Sequence, residues 1–233
     1  MPDGERIYAI GDVHGHLASL DKVEAKILAD LGARPAPTRT SVIFLGDYID
    51  RGASSREVIQ RLCSRSFAGL PARFLIGNHE DAMLHFLSSP RDGADWLSFG
   101  GTATLASYGI FTGAALTTSK LPEIARKLQQ ALPAEHMEFL RSLELFIEAE
   151  GFLFVHAGIR PAVPLAKQTR RDLLTIREPF LSHCGETQWR VVHGHTIVAE
   201  PIISQNRVSL DIGAYATGNL ACAAIEGGEV LIL

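Results

Sequence analysis

Gly46-Asp47-Tyr48-Ile49-Asp50-Arg51-Gly52 follows the apolar run Ser41-Val42-Ile43-Phe44-Leu45, which reads as a buried strand. The chain leaves that strand through a glycine. It then presents two carboxylates, a guanidinium and a second glycine. Carboxylates suit hard or borderline cations. A guanidinium grips a phosphate with two parallel hydrogen bonds. Glycines allow a sharp turn and a close ligand. The loop alone suits a solvated turn with a local ion pair as well as it suits a metal-assisted phosphate site. Its neighbours decide between them.

Two further segments repeat the grammar. Arg6 to Ile10 is a strand running straight into Gly11-Asp12-Val13-His14-Gly15-His16, and Leu17 to Asp30 follows with apolar residues at helical spacing. Gly32, Pro35 and Pro37 end that helix. Arg73 to Ile76 is a third strand, followed by Gly77-Asn78-His79-Glu80 and a helix to about Leu87. After the opening loop, Ser54 is positioned to cap a helix over Ser55 to Cys63. Strand, polar loop and helix alternate three times, which predicts a largely parallel sheet covered by helices. Ligands of such sheets sit beyond the carboxyl ends of the strands, where all three loops fall.

Ser88 to Ala149 changes character. Helical patterns over Asp95–Ser107, Pro122–Ala131 and Pro133–Leu143 are punctuated by glycines, with no cluster of metal-type ligands. The segment reads as a helical insertion, either a lid over the site or a plain packing layer. Strands then resume. Leu145–Ala149 and Phe152–Val155 flank Glu150-Gly151 as a hairpin, and the second ends in His156-Ala157-Gly158. Arg170 to Glu178 reads as a short helix carrying Arg177. Trp189 to Val192 is a strand ending in His193-Gly194-His195-Thr196. Pro201–Ile203, Arg207–Ile212, Leu220–Ile225 and Glu229–Ile232 finish as strands of a second, more antiparallel sheet.

The chain has 233 residues, 46% apolar and 21% charged, with no internal repeat or linker. One domain over residues 1–233 is expected. A net charge of −4 gives no nucleic-acid footprint. Cys63, Cys184 and Cys222 lack paired spacing, which argues against disulfides or a thiolate zinc cluster. The first residues lack the apolar core of a signal peptide, and no apolar run approaches the ~20 residues of a membrane helix. The expected location is the cytoplasm, with no membrane partner.

Five polar loops therefore stand at strand ends. They carry Asp12 and His14; Asp47, Asp50 and Arg51; Asn78 and His79; His156; and His193 or His195. Asp12 and His14 are two residues apart, so an extended strand end would point both to one side. Carboxylates, imidazoles and an amide oxygen without thiolate fit manganese, iron or zinc. The set exceeds one ion and suffices for two, and two ions ~3.5–4 Å apart are a common solution for phosphate ester hydrolysis.

Gly11-Asp12-Val13-His14-Gly15, the opening loop and Gly77-Asn78-His79-Glu80 resemble the three signature motifs of the serine/threonine phosphoprotein phosphatase family, within the calcineurin-like metallophosphoesterases. His156-Ala157-Gly158 and Gly194-His195-Thr196 resemble the later ligand motifs. Asp172 to Glu178 resembles the segment that supplies a second phosphate-binding arginine in bacterial members. The resemblance spans Ile7 to Gly213. It implies an α/β sandwich of two central mixed β-sheets flanked by helices. It also implies two metal ions, manganese first, with iron or zinc as alternatives. Asp12 and His14 would hold one metal, Asp47 would bridge, and Asn78, His156 and His195 would hold the other. A bridging hydroxide would attack phosphorus, His79 would protonate the leaving group, and Asp50 would orient His79. Arg51 and Arg177 would clamp the phosphoryl oxygens. Arg160 is a weaker candidate for substrate contact, and Asp211 a candidate support. His16 and His193 are expected to support their neighbours, while His85, His136 and His183 are expected to be ordinary.

The resemblance implies hydrolysis of phosphoserine and phosphothreonine monoesters, with a phosphoprotein or phosphopeptide as partner. The closest alternative is a bis(5'-nucleosyl)-tetraphosphatase on a similar metal core. Its members generally lack an acid at the place of Asp50 and more often carry Asp at that of Glu80. A non-catalytic phosphoprotein-binding module would be expected to have lost ligands, and none of the expected set is missing.

Overall fold

The computed structural model describes residues 4–34, 37–113, 117–149, 151–185 and 187–233. In chain order the elements are β1 (Glu5–Ile10), α1 (Leu17–Ala33), β2 (Arg39–Phe44), α2 (Ser55–Leu62), β3 (Ser66–Phe67), β4 (Leu70–Phe74) and α3 (Asn78–Ser88). A 3-10 helix over Ala94–Phe99 leads into α4 (Gly101–Ser107), followed by a 3-10 turn over Thr118–Lys120, α5 (Leu121–Ala131) and α6 (Ala134–Arg141). The second half contains β5 (Phe146–Ala149), β6 (Phe152–Val155), α7 (Arg170–Thr175), β7 (Arg190–His193), β8 (Ile202–Ile203), β9 (Arg207–Ser209), α8 (Ala214–Thr217), β10 (Cys222–Glu226) and β11 (Glu229–Ile232).

The strands form two mixed sheets. The first has the order β11-β10-β1-β2-β4-β3, the second β5-β6-β7-β9-β8. Alternation along each strand explains how they stack. On β1, Tyr8 and Ile10 face the helices α1, α2 and α3, while Ile7 and Ala9 face the other sheet. On β6, Phe152 and Phe154 point into the space between the sheets, and Leu153 and Val155 pack with Leu173 of α7. Strands buried on both faces read as continuous apolar runs. That is why β2 and β6 were visible in the sequence. Each fully buried large side chain adds about 1.5–3 kcal/mol of hydrophobic stabilisation.

Several expectations are corrected. The first sheet is not largely parallel. β2 runs parallel to β1 and to β4, but β10, β11 and β3 each join antiparallel. The strands β10 and β11 complete this sheet rather than the second, because Ile10 pairs with Cys222 and Arg6 with Glu226. The second sheet is evenly mixed: β6, β7 and β9 run parallel, with antiparallel edges. The third strand ends at Phe74, and Leu75 makes only a single bridge to Glu144. Ser54 precedes α2 without a side-chain cap, since its backbone φ and ψ lie outside the extended region used by capping side chains. The pattern over Asp95–Ser107 is two elements, broken where Gly100 takes φ +112°. The helix expected to carry Arg177 ends two residues before it. Pro35 and Glu150, used as turn signals, lie outside the described residues. Among the described residues no helix is long and apolar enough to cross a membrane.

Candidate active site

The loops after β1 and β2 are tied together by their backbones. Val13 and His14 donate N–H bonds to the Asp47 carbonyl at 3.0 and 2.8 Å, Gly15 donates to Tyr48 at 2.8 Å, and Gly52 donates to His14 at 3.1 Å. Left-handed conformations concentrate here: His14, Asp47, Asp50, Arg51 and His195 all have φ between +45° and +71°. Such backbone costs energy for non-glycine residues and persists only where the surroundings impose it. It also corrects the extended reading of Asp12-Val13-His14, because β1 has ended at Ile10 and the chain turns at His14.

Glu80 is the support beneath the Asp47 loop. It is fully buried, and its carboxylate accepts from the backbone N–H groups of Asp47, Tyr48, Ile49 and Gly77 at 2.8 to 3.2 Å. Gly77 starts α3 against this loop. A Cβ there would lie 2.0 Å from Asp47 Oδ1, so only glycine fits. Gly194 is under the same constraint, since its Cβ would lie 1.9 Å from Asp12 Oδ1.

Asp47 stands at the centre. Its Oδ2 lies 3.6 Å from His14 Nε2, 3.5 Å from His156 Nε2 and 3.8 Å from His79 Nε2. The ligand atoms of His14, Asp47 and His79 form one compact group; those of Asp47, His156 and His195 form another. Asn78 Oδ1 sits 2.9 Å from His156 Nε2 and 2.8 Å from His195 Nδ1. Asp12 lies at the edge, its Oδ2 accepting from the His195 N–H at 3.0 Å. The first compact group thus contains His79 where the sequence reading placed Asp12.

The donor set fits metal cations. His14 Nδ1 lies 2.9 Å from the Ile49 carbonyl, and His156 Nδ1 lies 2.8 Å from that of Leu45. Each Nδ1 must carry a proton to donate there, so in the neutral ring each Nε2 presents a lone pair. Those lone pairs face Asp47 and Asn78 oxygens, which are also acceptors. A buried cluster of acceptors facing acceptors is stabilised by cations. Asp12 Oδ1 and His195 Nε2 are buried without a hydrogen-bond partner.

Electrostatics agree. Burial pushes His14 and His195 down to about 3, which keeps both rings neutral. Burial, then Asp211 and Asp47, push Asp12 well above the carboxylate range. Asp47 goes the other way: burial opposes ionisation, but His156, His79 and His14 outweigh it. Burial pulls His79 down, yet Asp47 and Asp50 carry it up to about 9.

His79 and Asp50 form a fixed pair, with Nδ1 2.6 Å from Asp50 Oδ2. The segment from Ser88 to Ala149, which showed no ligand cluster in sequence, supplies the partners that hold Asp50. Trp96 Nε1 donates to Asp50 Oδ2 at 2.8 Å, and Thr104 Oγ1 donates to Oδ1 at 2.5 Å. Burial nevertheless raises Asp50 against these bonds. Arg51 Nη2 lies 3.4 Å from His79 Nε2, with its guanidinium over the Tyr215 ring at 4.8 Å. Trp96, Thr104 and Tyr215 were not singled out in the sequence. Asp95-Trp96 before Gly100-Gly101 was the only visible signal.

The cluster opens into a cavity of about 650 Å³ whose lining includes Asp47, Asn78, His79 and His195. Four arginines line it: Arg51 and Arg177, both expected, and Arg170 and Arg171 of α7. Phe99, Ala82 and Leu174 give it apolar wall. Arg160 is not among the lining residues; it pairs with Asp172 at 2.8 Å. Asp211 accepts from Gly213 N–H at 2.9 Å, and His193 bonds Ser209 and lies against Phe180. His16 bonds Ser19, and His136 bonds Tyr108.

Known proteins share this arrangement of sheets and sequence. A bis(5'-nucleosyl)-tetraphosphatase PrpE [asymmetrical] of Oceanobacillus iheyensis is 25% identical over 228 residues, covering 89% of this chain and 84% of the relative. The Bacillus subtilis protein of the same name is 28% identical over 190 residues, covering 74% and 70%. A crystal structure provisionally described as a diadenosine tetraphosphatase superposes with a TM-score of 0.68 at 19% identity, over 99% of this chain and 93% of the other. The family model of calcineurin-like phosphoesterases matches residues 5–220, and the chain therefore belongs to the calcineurin-like phosphoesterase family, whose dinuclear metal centre its Asp, Asn and His cluster fits.

Proposed function

We propose that the protein hydrolyses dinucleoside tetraphosphates asymmetrically, releasing a mononucleotide and a nucleoside triphosphate. The cavity carries this reading. A phosphomonoester needs one or two guanidiniums beside the metals, whereas this cavity offers four with an apolar wall. An extended polyphosphate carrying bases uses both features. The names of the relatives support the same reading and move the weight away from a phosphoprotein substrate.

Asp12, His14 and Asp47 would hold one metal, and Asp47, Asn78, His156 and His195 the other; this oxygen and imidazole set suits manganese, iron or zinc. A bound metal pair supplies Lewis-acid polarisation of the phosphoryl oxygens and an activated water. The chain's own groups do the rest. Arg51 and Arg177 orient the attacked phosphoryl group and stabilise charge on its oxygens as the bond breaks. Raised to about 9, His79 is an imidazolium at neutral pH: Asp50 holds its Nδ1–H and the second proton stands on Nε2. It lies beside Arg51, where it can deliver that proton to the departing oxygen.

The test compares diadenosine tetraphosphate with a phosphothreonine peptide, using manganese-loaded protein. Faster tetraphosphate cleavage, with ATP and AMP in equal amounts, supports the proposal. Faster release of phosphate from the peptide overturns it and restores the phosphoprotein as substrate.

A further inference from the structure

Phe99 is an expensive residue where it stands. It is 48% exposed, yet it belongs to the wall of the cavity rather than to the outer surface. Of the large apolar side chains most exposed in this protein, Phe99 alone lines that cavity among the described residues. Its backbone is held from two sides. The neighbouring Gly100 carbonyl accepts from Arg51 N–H at 3.3 Å, and Trp96, three residues earlier, is bonded to Asp50. The ring centroid lies 6.4 Å from that of His79, at an interplanar angle of 68°. A rigid aromatic face is therefore held beside the group that meets the leaving group.

The α7 side of the same cavity carries Arg170 and Arg171. Arg170 is paired with Asp81 of α3 at 2.7 Å. Arg171 is exposed and has no ion pair among the described residues. One free guanidinium and one flat apolar face in a 650 Å³ cavity are suited to a nucleotide's two halves.

We propose that Phe99 and Arg171 form a nucleotide subsite beside the metal cluster, Phe99 stacking on the base and Arg171 binding phosphates beyond the cleaved bond. This rests on the dinucleotide reading and assigns the recognition of the leaving nucleotide to two residues. Stacking on an aromatic face tolerates any base, so the subsite selects nucleotides over bare polyphosphate rather than one base over another.

The test inhibits hydrolysis of p-nitrophenyl phosphate by manganese-loaded protein with ATP and, separately, with inorganic tripolyphosphate. The ratio of the two inhibition constants is internal to each variant, and metal chelation affects both inhibitors. In the wild type, ATP should bind roughly ten- to a hundredfold more tightly. Phe99→Ala should bring the ratio close to one, and Phe99→Trp should keep it. Arg171→Ala should weaken both inhibitors and leave the ratio intact. A wild-type ratio of one, or an unchanged ratio in Phe99→Ala, overturns the subsite. Cleavage of diadenosine tetraphosphate is followed on the same preparations. A wild type that prefers ATP but leaves the dinucleotide uncleaved keeps the subsite and loses the substrate reading. One that cleaves the dinucleotide without preferring ATP keeps that reading and loses the subsite.

Discussion

Trp96 and Asp50 are 46 residues apart, and the indole N–H of Trp96 donates to the carboxylate oxygen of Asp50 that lies 2.6 Å from His79 Nδ1. Both are buried. The helical insertion thus reaches the chemistry through a tryptophan, with Thr104 fixing the other carboxylate oxygen. Trp96→Phe keeps most of the volume and removes the donor. His79 should then be less well oriented, and the loss should fall on substrates that need protonation of the leaving group. We expect kcat to fall about tenfold more for an alkyl phosphate than for p-nitrophenyl phosphate, whose phenolate leaves unaided. Equal losses on both would place Trp96 in packing alone.

Glu80 serves the fold of the Asp47 loop. Glu80→Gln replaces one acceptor oxygen with an NH2 group that must face two backbone N–H donors. Leaving buried donors unmatched costs about 1–3 kcal/mol. At this chain length that corresponds to a fall in Tm of roughly 4–8 °C for 2 kcal/mol. Thermal unfolding of the metal-free variant checks it, and an unchanged Tm would show that the loop holds without this carboxylate.

The same burial shows what the sequence could reveal. Asp47, Asn78, His79 and His195 were legible because each follows an apolar run and a glycine, and His156 because it ends the apolar run Phe152–Val155 just before Gly158, signals set by local backbone chemistry. The choice of substrate was argued from Asp50 and Glu80. Both are buried, one against His79 and the other beneath the loop, and neither lines the cavity. The wall of the cavity includes Phe99, Arg170 and Arg171, which lie on elements distant in sequence and carry no local signature. Tyr215 was equally hidden, because its role comes from α8 folding back onto Arg51 and His14. The strands β10 and β11 were placed in the wrong sheet for a similar reason. Pairing of β10 with β1 spans nearly the whole chain, and alternation cannot reveal which sheet a strand joins.

Tyr215 is predicted to set the position of Arg51. Its ring lies under the guanidinium at 4.8 Å and edge-on to His14 at 5.6 Å. A partly exposed cation–π contact contributes about 0.5–1 kcal/mol. Tyr215→Ala should therefore raise KM or lower kcat by roughly two- to fivefold. Tyr215→Phe retains the ring and should match the wild type. If Phe behaves like Ala, the hydroxyl and not the ring face is the important group.

Asp12 provides the sharpest separation of stability from function. It is buried, its Oδ1 has no hydrogen-bond partner, and burial, Asp211 and Asp47 raise it well above the ordinary carboxylate range. A carboxyl whose folded pKa is raised stabilises the fold most below its unfolded pKa, and that contribution is lost as pH rises towards the folded value. Metal-free wild type should therefore lose stability as pH climbs from about 4 towards neutrality, because Asp12 ionises freely in the unfolded chain while burial beside Asp211 and Asp47 keeps it protonated in the fold. Asp12→Asn cannot ionise. Its Oδ1 can still accept the His195 N–H that Asp12 Oδ2 accepts at 3.0 Å. At pH 7 the metal-free variant should melt roughly 2–4 °C above the metal-free wild type, corresponding to about 1 kcal/mol. Manganese reverses the order. Binding to the folded state raises Tm in proportion to the logarithm of its concentration over Kd. The wild type should gain several degrees and the variant little, since one ligand carboxylate is gone. The experiment is a set of melting curves at pH 5 and 7, with chelator and with manganese. A variant that melts below the wild type without metal, or gains as much with it, would remove Asp12 from the metal centre.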